Sequence, residues 1–172
     1  EDVESIERTT PCFVTHPEKM VDMVSLMRRL GEIVGATDDA DAIARRIEAG
    51  IEGATDAPRS RAAYLIWRKP WMTINAATYI HDVLDVNGIV NVFGDREERY
   101  PEIDLDALRR SKPDWVILPS EPFPFEDRHV DEIAEATGID ARRIRLVPGE
   151  EYCWFGKRSA SVFATHGRIF NE

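Results

Sequence analysis

The spacing of apolar and polar positions divides the 172-residue chain into a helical first third and an alternating remainder. Apolar residues recur at helical spacing from Met20 to Val34, and Gly35 is placed to end that helix. A second helix is predicted from Thr37, with acidic residues in its first turn and an alanine-rich apolar stripe that reaches Ala54. The segment 57–60, Ala-Pro-Arg-Ser, interrupts the pattern and marks the boundary between the two parts.

Beyond this boundary, short apolar runs alternate with amphipathic segments. The apolar runs predict strands at 62–67, 90–93, 115–118 and 144–147, and a similar run predicts a buried strand at 12–14. Helices are predicted to begin at Asn75, at Asp104 and after Glu126, a closing helix is predicted over 159–170, and residues 68–74 read as a loop. Strands that are apolar throughout and alternate with helices predict a three-layer, doubly wound α/β fold around a mostly parallel sheet.

Composition and charge narrow the partners of this fold. Apolar residues make up 43% of the chain, enough for a true core. The 22 Lys and Arg against 32 Asp and Glu give a net charge of −10, without a basic block, which excludes nucleic acid as the expected partner. The apolar runs are too short to span a bilayer, and no signal peptide opens the chain, so a complete chain would be expected in the cytoplasm.

The cysteines and histidines give no pattern of a metal site. Cys12 and Cys153 fit neither a disulfide framework nor a metal-knuckle spacing, so two unpaired small apolar residues are favoured over one long-range bridge. The four histidines, His16, His81, His129 and His166, are scattered, and none lies at ligand spacing from another. His16 is expected at a helix start, and His81 and His129 are expected on helix faces.

Candidate chemistry is concentrated in three loops that follow predicted strands. Ligands of open α/β sheets bind beyond the carboxyl ends of the strands, which directs attention to residues 68–73, 99–102 and 149–158. All three loops carry aromatic side chains, and the last has three aromatics within four positions. Such loops suit a large, flat, partly apolar ligand, although the same side chains could instead cover the sheet edge or pack under a turn.

Motifs for catalysis are absent from the sequence. There is no glycine-rich phosphate loop, no nucleophile elbow and no His-Glu-x-x-His pair. Glu121 at a strand end, with a histidine such as His129, is the one candidate acid and base pair, and Glu121 reads more simply as the polar member of a proline-stiffened turn. A binding protein is therefore favoured over an enzyme.

The order of these pieces resembles a known family, the substrate-binding proteins of ABC importers with a helical backbone. Members of this class take up vitamin B12, haem, iron-siderophores and metals. Three stretches carry the resemblance: Pro11–Pro17 with the Leu30–Gly35 segment, Trp71–Thr73 with Tyr79–Leu84 and Gly88–Phe93, and Tyr100–Ile103 with Lys112–Leu118.

The vitamin B12-binding members of the class are the most similar. The resemblance implies that the cleft binds cobalamin or a similar metal chelate, without a cofactor, and that an ABC permease in the membrane is the partner. It places these residues at the ligand: Trp71, Met72, Tyr100 and Trp154, with Arg68 and Arg158 as polar anchors. It also implies that Asp106 docks on the permease.

The resemblance divides the chain into three parts, and the chain departs from the family in the size of its first lobe. Residues 1–35 would be the remnant of an N-terminal lobe, 36–59 the interlobe helix and linker, and 60–172 the C-terminal α/β lobe. Most of the first lobe would then precede Glu1, and the location would be periplasmic or extracytoplasmic. The alternative is a single-lobe interaction module that no longer transports and that forms a homodimer through its exposed half-cleft.

Overall fold

The structure, a computed structural model, describes residues 2–54 and 59–164. The helices are α1 Asp2–Glu7, α2 Met20–Val34, α3 Thr37–Ala54, α4 Tyr79–Val86, α5 Leu105–Ser111, α6 Asp127–Thr137 and α7 Glu150–Cys153, with 3-10 helices at Ala141–Arg143 and Gly156–Ala160. The strands are β1 Ser60–Trp67, β2 Trp71–Thr73, β3 Ile89–Asn91, β4 Glu102–Ile103, β5 Trp115–Pro119 and β6 Ile144–Val147.

Strand β1 lies at the centre of the sheet and is paired on both edges. One edge pairs with β5, which continues to β6, and both pairings are parallel. The other edge is shared: the first residues of β1 pair with parallel β3, and the last residues pair with antiparallel β2, which continues to β4. The predicted mostly parallel α/β fold is therefore confirmed, with an antiparallel extension at one corner.

Alternate residues of β1 face two separate cores, which makes the fold three-layered. Tyr64 is fully buried on one face, in a cluster with α2, α3 and α4. Leu65 is fully buried on the other face, in a cluster with α5 and α6. A strand with helices on both faces must be apolar throughout, and the residues from Ala62 to Ile66 meet this demand.

Helix α2 is attached to α4 by a hydrogen bond at its first residue. The backbone N–H of Met20 donates to the Asp82 carboxylate on α4 at 2.6 Å. The first N–H groups of a helix have no partner within it, so Asp82 satisfies one of them from another element. At the other end, Gly35 adopts the left-handed conformation (φ 72°) that ends the helix, as its position in the sequence predicts.

The predicted strand at Cys12–Val14 is wrong. Among the described residues, no strand pairs with this segment, and Phe13 and Val14 are 51% and 60% exposed. An apolar run forms a strand only where another strand offers backbone partners, and no described edge lies beside this one.

Two further predictions are wrong in the middle of the chain. Residues 68–74 are not a plain loop, because the chain reverses at Pro70 and returns as β2 along β1. Helix α4 begins after Thr78 rather than Asn75; the Thr78 hydroxyl accepts from the N–H of His81, and Asn75 instead accepts from the N–H of Ala77 in a turn.

The predicted closing helix over 159–170 is interrupted within the described residues. A 3-10 helix covers Gly156–Ala160 and residues 162–164 are helical, while 165–172, with His166, lie outside the described residues. The other predicted helices and strands are present with small differences at their ends. No helix in the described ranges is long and apolar enough to cross a membrane.

Removing the Asp82 carboxylate should loosen the attachment of α2. We expect Asp82→Ala to lower the free energy of unfolding by about 1.5–3 kcal/mol, because a charge-assisted hydrogen bond is lost and a helix N–H is left unpaired. Urea denaturation measures the change. The control is Asp85→Ala on the same helix, which removes only an exposed pairing with Arg59 and should cost under about 1 kcal/mol; equal losses in the two variants would contradict the prediction.

Candidate functional site

A groove of about 460 Å³ opens where the carboxyl ends of the central strands meet the β2 hairpin. Its lining is apolar and aromatic with two polar members, and it consists of Ile66, Trp67, Met72, Ile80, Tyr100, Glu121, Pro122, Cys153 and Trp154. These residues come from β1, β2, α4, α7 and the loops around them. The position agrees with the rule that ligands of open α/β sheets bind beyond the strand ends.

Strand pairing brings the first wall of the groove together. Trp67 ends β1 and lies opposite Met72 in the antiparallel pairing, and Met72 in turn lies opposite Glu102 of β4. The ring of Trp67 meets Phe123 edge to face at 5.6 Å between centroids, which supports it from the side of the β5 loop. Trp67 is nevertheless 41% exposed, so a large part of its surface is available to a ligand.

Two aromatic side chains form the rim of the groove. Tyr100 is 47% exposed and Trp154 is 52% exposed, and with Trp67 these rings are grouped around one groove rather than scattered over the surface. Each ring has a guanidinium group over it, Arg99 at 5.8 Å from the Tyr100 centroid and Arg158 at 5.4 Å from the Trp154 centroid. Arg158 also pairs with Glu150 at 3.3 Å, which holds it at the rim.

The polar part of the groove is a contact between a thiol and a carboxylate. The Cys153 Sγ lies 3.6 Å from Oε1 of Glu121 and donates to it. Burial, followed by the negative charge and hydrogen bond of Glu121, raises the pKa of the Cys153 thiol to about 12. The thiol is therefore protonated at neutral pH.

The loops that carry Glu121 and Cys153 approach each other closely at Gly149. A Cβ at this position would lie 2.8 Å from both Cγ and the carbonyl oxygen of Glu121 and 2.9 Å from its backbone nitrogen. The Gly149 N–H donates to the Ser120 hydroxyl at 2.9 Å, which joins the two loops. A residue without a side chain is thus required for the two polar members of the groove to meet.

The structure places four of the six residues expected at the ligand in or beside the groove and separates the other two. Met72, Tyr100 and Trp154 line the groove, and Arg158 lies beside it. Trp71 points away, because neighbouring residues of a strand face opposite sides of the sheet, and it stacks on Phe125 at 6.2 Å with an interplanar angle of 3°.

Arg68 is held on the same side as Trp71. Its guanidinium donates two hydrogen bonds to Glu132, at 2.8 and 2.9 Å, and lies 5.8 Å from the Trp71 centroid. Asp106, the expected docking residue, is exposed on α5 and pairs with Arg109 at 2.9 Å.

The remaining lining residues were not expected at a ligand, although Glu121 was considered as a catalytic acid. Trp67, Glu121 and Pro122 lie at or just after strand ends, so the rule about carboxyl ends of strands could have identified them, and Cys153 lies in a loop already singled out. Ile66 and Ile80 read as ordinary core positions, and only the folded chain shows their exposed edges.

The structure does not bring the candidate acid and base pair together. His129 is buried between Phe123 and Phe125, and its Nδ1 accepts from the backbone N–H of Glu126 at 2.9 Å, while Glu121 lines the groove. Burial, reinforced by nearby arginines, lowers the pKa of His129, which is typical of a neutral capping residue. Within the described ranges, no group of three or more His, Cys, Asp and Glu side chains could hold a metal ion, and both cysteines are free.

Two larger hollows are less suited to a ligand. They measure about 770 and 830 Å³ and are lined largely by charged side chains near α5 and between α2 and α3. Several of these charges already pair within the protein; Arg28, for example, bonds both Asp41 and Glu48. The smaller apolar groove is the stronger candidate, because ligand sites are mostly apolar with a few polar groups.

The two cysteines should differ sharply in their rate of reaction with an alkylating reagent. At about pH 8 we expect iodoacetamide to modify exposed Cys12 and to leave Cys153 largely unmodified, because the raised pKa leaves almost no thiolate at that position. Peptide mass spectrometry over a time course measures both rates. Glu121→Gln should speed the reaction of Cys153, since it removes the charge that disfavours the thiolate; equal rates at the two cysteines would contradict the account.

The comparisons with known proteins agree with the fold. The family of periplasmic binding proteins matches residues 7–139. Curated proteins give no match. Among solved structures, the periplasmic vitamin B12 binding protein BtuF of Vibrio cholerae is similar with a TM-score of 0.77 and 13% identity, over 98% of this chain and 68% of that chain.

Two further structures show the same fold. The periplasmic heme-binding protein RhuT from Roseiflexus sp. RS-1 is 15% identical with a TM-score of 0.72, over 90% of this chain and 64% of that one. An ABC-type Fe3+-hydroxamate transport system structure from Saccharomonospora viridis is 18% identical with a TM-score of 0.70, over 95% of this chain and 60% of that one. At these identities the structures establish the fold alone. The family match over most of the sequence establishes the relationship: this chain belongs to the periplasmic binding protein family.

Proposed function

We propose that the chain is a substrate-binding component of an ABC-type importer and that its groove is one wall of a site for a large, flat metal chelate such as cobalamin or haem. The observation that carries the proposal is the groove itself, with its three exposed aromatic residues at the carboxyl end of the sheet. Family membership supports a role in ligand binding, and the identity of the ligand is the proposal.

The surface chemistry of the groove supports a flat ligand. The rings of Trp67, Tyr100 and Trp154 offer wide contact area at a low cost in side-chain entropy, and a planar macrocycle uses such faces well. Met72 adds a polarizable thioether that adapts to an irregular edge. The groove measures about 460 Å³ and is open, which fits one wall of a larger site rather than a closed pocket.

The names of similar structures support a metal chelate as the ligand, and they do not distinguish between individual chelates. They include a vitamin B12 binding protein, a heme-binding protein and an Fe3+-hydroxamate transport system. All three ligands are metal chelates of considerable size. The chain spans between 60% and 68% of these structures, so we propose that a second lobe supplies the opposite wall.

The polar anchors divide into two groups in this proposal. Arg158 lies at the rim beside Trp154 and can reach a ligand carboxylate or amide. Arg68 and Trp71 hold the hairpin that presents Met72, since Arg68 is engaged with Glu132 and Trp71 with Phe125. Recognition requires no bond-making, and we propose no catalytic role.

The three-part division of the chain is retained as a proposal. Residues 1–35 would end a first lobe, 36–59 would hold the interlobe helix and linker, and 60–172 would form the C-terminal lobe. The protein would act outside the cytoplasm, where ligand-loaded receptors meet the permease. Asp106 on the exposed side of α5 would pair with arginines of that permease.

Loss of one rim aromatic should weaken ligand binding. We expect Tyr100→Ala to weaken the binding of cobalamin or haem about 5- to 100-fold, because a half-exposed ring that stacks on the ligand is removed without disturbing the core. Isothermal titration calorimetry on the full chain measures the affinity. Phe13→Ala, which removes another half-exposed aromatic that does not line the groove, is the matched control and should bind as the unchanged chain does.

The same titration separates the proposal from the interaction module. Equal affinities for both variants would remove Tyr100 from the site. A chain that binds neither chelate and forms a dimer by light scattering at micromolar concentration would overturn the proposal in favour of self-association through the groove.

The docking role of Asp106 has a separate readout. In cells that carry the importer, Asp106→Arg should lower ligand uptake by about tenfold or more while leaving ligand affinity unchanged, because the reversed charge repels the permease arginines. Asp131→Arg, at an exposed position on α6, is the control and should leave uptake unchanged. Normal uptake by the Asp106 variant would contradict the assignment.

A further inference from the structure

A hollow of about 360 Å³ lies next to the groove, where Trp67 of the groove contacts Phe123 of the hollow at 5.6 Å between ring centroids. Its lining comes from the residue after β1, the loop after β5 and the first turns of α6, and it consists of Arg68, Phe123, Arg128, His129 and Glu132. The groove and the hollow are therefore neighbours at the carboxyl edge of the sheet, and a ligand ring that covers Trp67 brings its edge to the hollow.

The hollow contains a buried histidine whose proton can be placed on one nitrogen. Only 3% of the surface of His129 is exposed, and its Nδ1 accepts from the backbone N–H of Glu126 at 2.9 Å. A neutral imidazole has one acceptor nitrogen and one N–H group. Because Nδ1 is the acceptor, the proton lies on Nε2, and this nitrogen is a donor. Burial, reinforced by the charges of Arg128 and Arg68, lowers the pKa of His129, which favours this neutral form.

The Nε2–H of His129 faces a second donor instead of an acceptor. The group that approaches it is the guanidinium of Arg128, whose Nε lies at 3.4 Å and also carries a proton. Two N–H groups directed at each other form no hydrogen bond, whereas buried polar groups in proteins are nearly always paired. Among the described residues, no acceptor is bonded to this Nε2, so an acceptor from outside the described chain would pair both N–H groups.

The two arginines of the hollow keep N–H groups outside their ion pairs. Arg68 bonds the Glu132 carboxylate through Nε and Nη2, at 2.8 and 2.9 Å, which leaves the N–H groups of Nη1 outside that pair. Arg128 approaches Glu126 through Nη2 at 3.2 Å, which leaves its Nε–H outside as well. The hollow therefore presents more donors than acceptors, and the buried His129 is one of them.

We propose that His129 and Arg128 bind a carboxylate at the edge of the chelate, so that the chain prefers a ring with carboxylate side chains to the same ring with uncharged ones. This inference rests on the proposed function and specifies the class of chelate. A carboxylate has two oxygens and a negative charge, so it accepts from the Nε2–H of His129 and the Nε–H of Arg128 together. An ester or amide offers one carbonyl oxygen and no charge, and it pairs these donors less well.

A matched pair of probes tests the preference on the full chain. Ferric haem carries two carboxylate side chains, and its dimethyl ester is the same metal and ring with both carboxylates masked. Quenching of tryptophan fluorescence, in the same dilute detergent for both probes, measures the two affinities. We expect haem to bind about tenfold more tightly than the ester, because charge-assisted hydrogen bonds are lost on esterification.

Variants assign the preference to the hollow. Arg128→Gln and His129→Phe should each reduce the preference for haem over the ester to about twofold or less. Arg128 is exposed, so its variant keeps the test valid even if His129→Phe does not fold. Arg142→Gln is the matched control and should keep the full preference, because Arg142 is also an exposed arginine that pairs with an acid two residues before it, Asp140, and it does not line the hollow.

The outcomes separate this inference from the proposed function. Equal affinities for haem and its ester, or a preference that both variants of the hollow retain, would overturn the carboxylate site and leave the chelate-binding role in place. Cyanocobalamin, whose ring side chains end in amides, is the third probe. Binding of cyanocobalamin without binding of either haem probe would have the same meaning, and no quenching with any of the three probes would overturn the inference and the proposed function together.

Discussion

The position of the groove depends on one edge of β1, which pairs with two different strands. The first residues of this edge pair with parallel β3 and the last pair with antiparallel β2, while the opposite edge pairs with β5 alone. Because β3 does not extend along the whole of β1, the β2 hairpin can fold back at the strand end. This places Trp67 and Met72 side by side where a fully parallel sheet would have only loops.

Close packing of two loops supplies the other side of the groove. The loop after β5 brings Glu121, and α7 after β6 brings Cys153, and the two meet only because Gly149 leaves no side chain between them. The aromatic members remain half-exposed because the sheet and its two helical layers bury their own cores without them. A rigid scaffold thus presents a wide apolar surface with one polar end, a combination typical of small-molecule binding sites.

The sequence predicts the scaffold well and the groove only in part. Runs such as 62–67 and 115–118 are apolar throughout because both faces of the sheet are covered, so their apolar pattern alone predicts buried strands. The sequence of residues 12–14 could not decide whether they form a strand, because a strand also needs the edge of another strand to pair with. Trp71 and Met72 are adjacent in sequence and equally apolar, and only the register of β2 decides that Met72 enters the groove while Trp71 leaves it.

The indole signals of the four tryptophans in a nitrogen-15 NMR titration test the central claim most directly. Trp67 and Trp154 line the groove, whereas Trp71 stacks on Phe125 and Trp115 lies against Arg145. With a diamagnetic cobalt corrinoid as the ligand, the account predicts that the signals of Trp67 and Trp154 shift while those of Trp71 and Trp115 stay in place. Shifts confined to Trp71 or Trp115, or no shift at a saturating concentration, would contradict it.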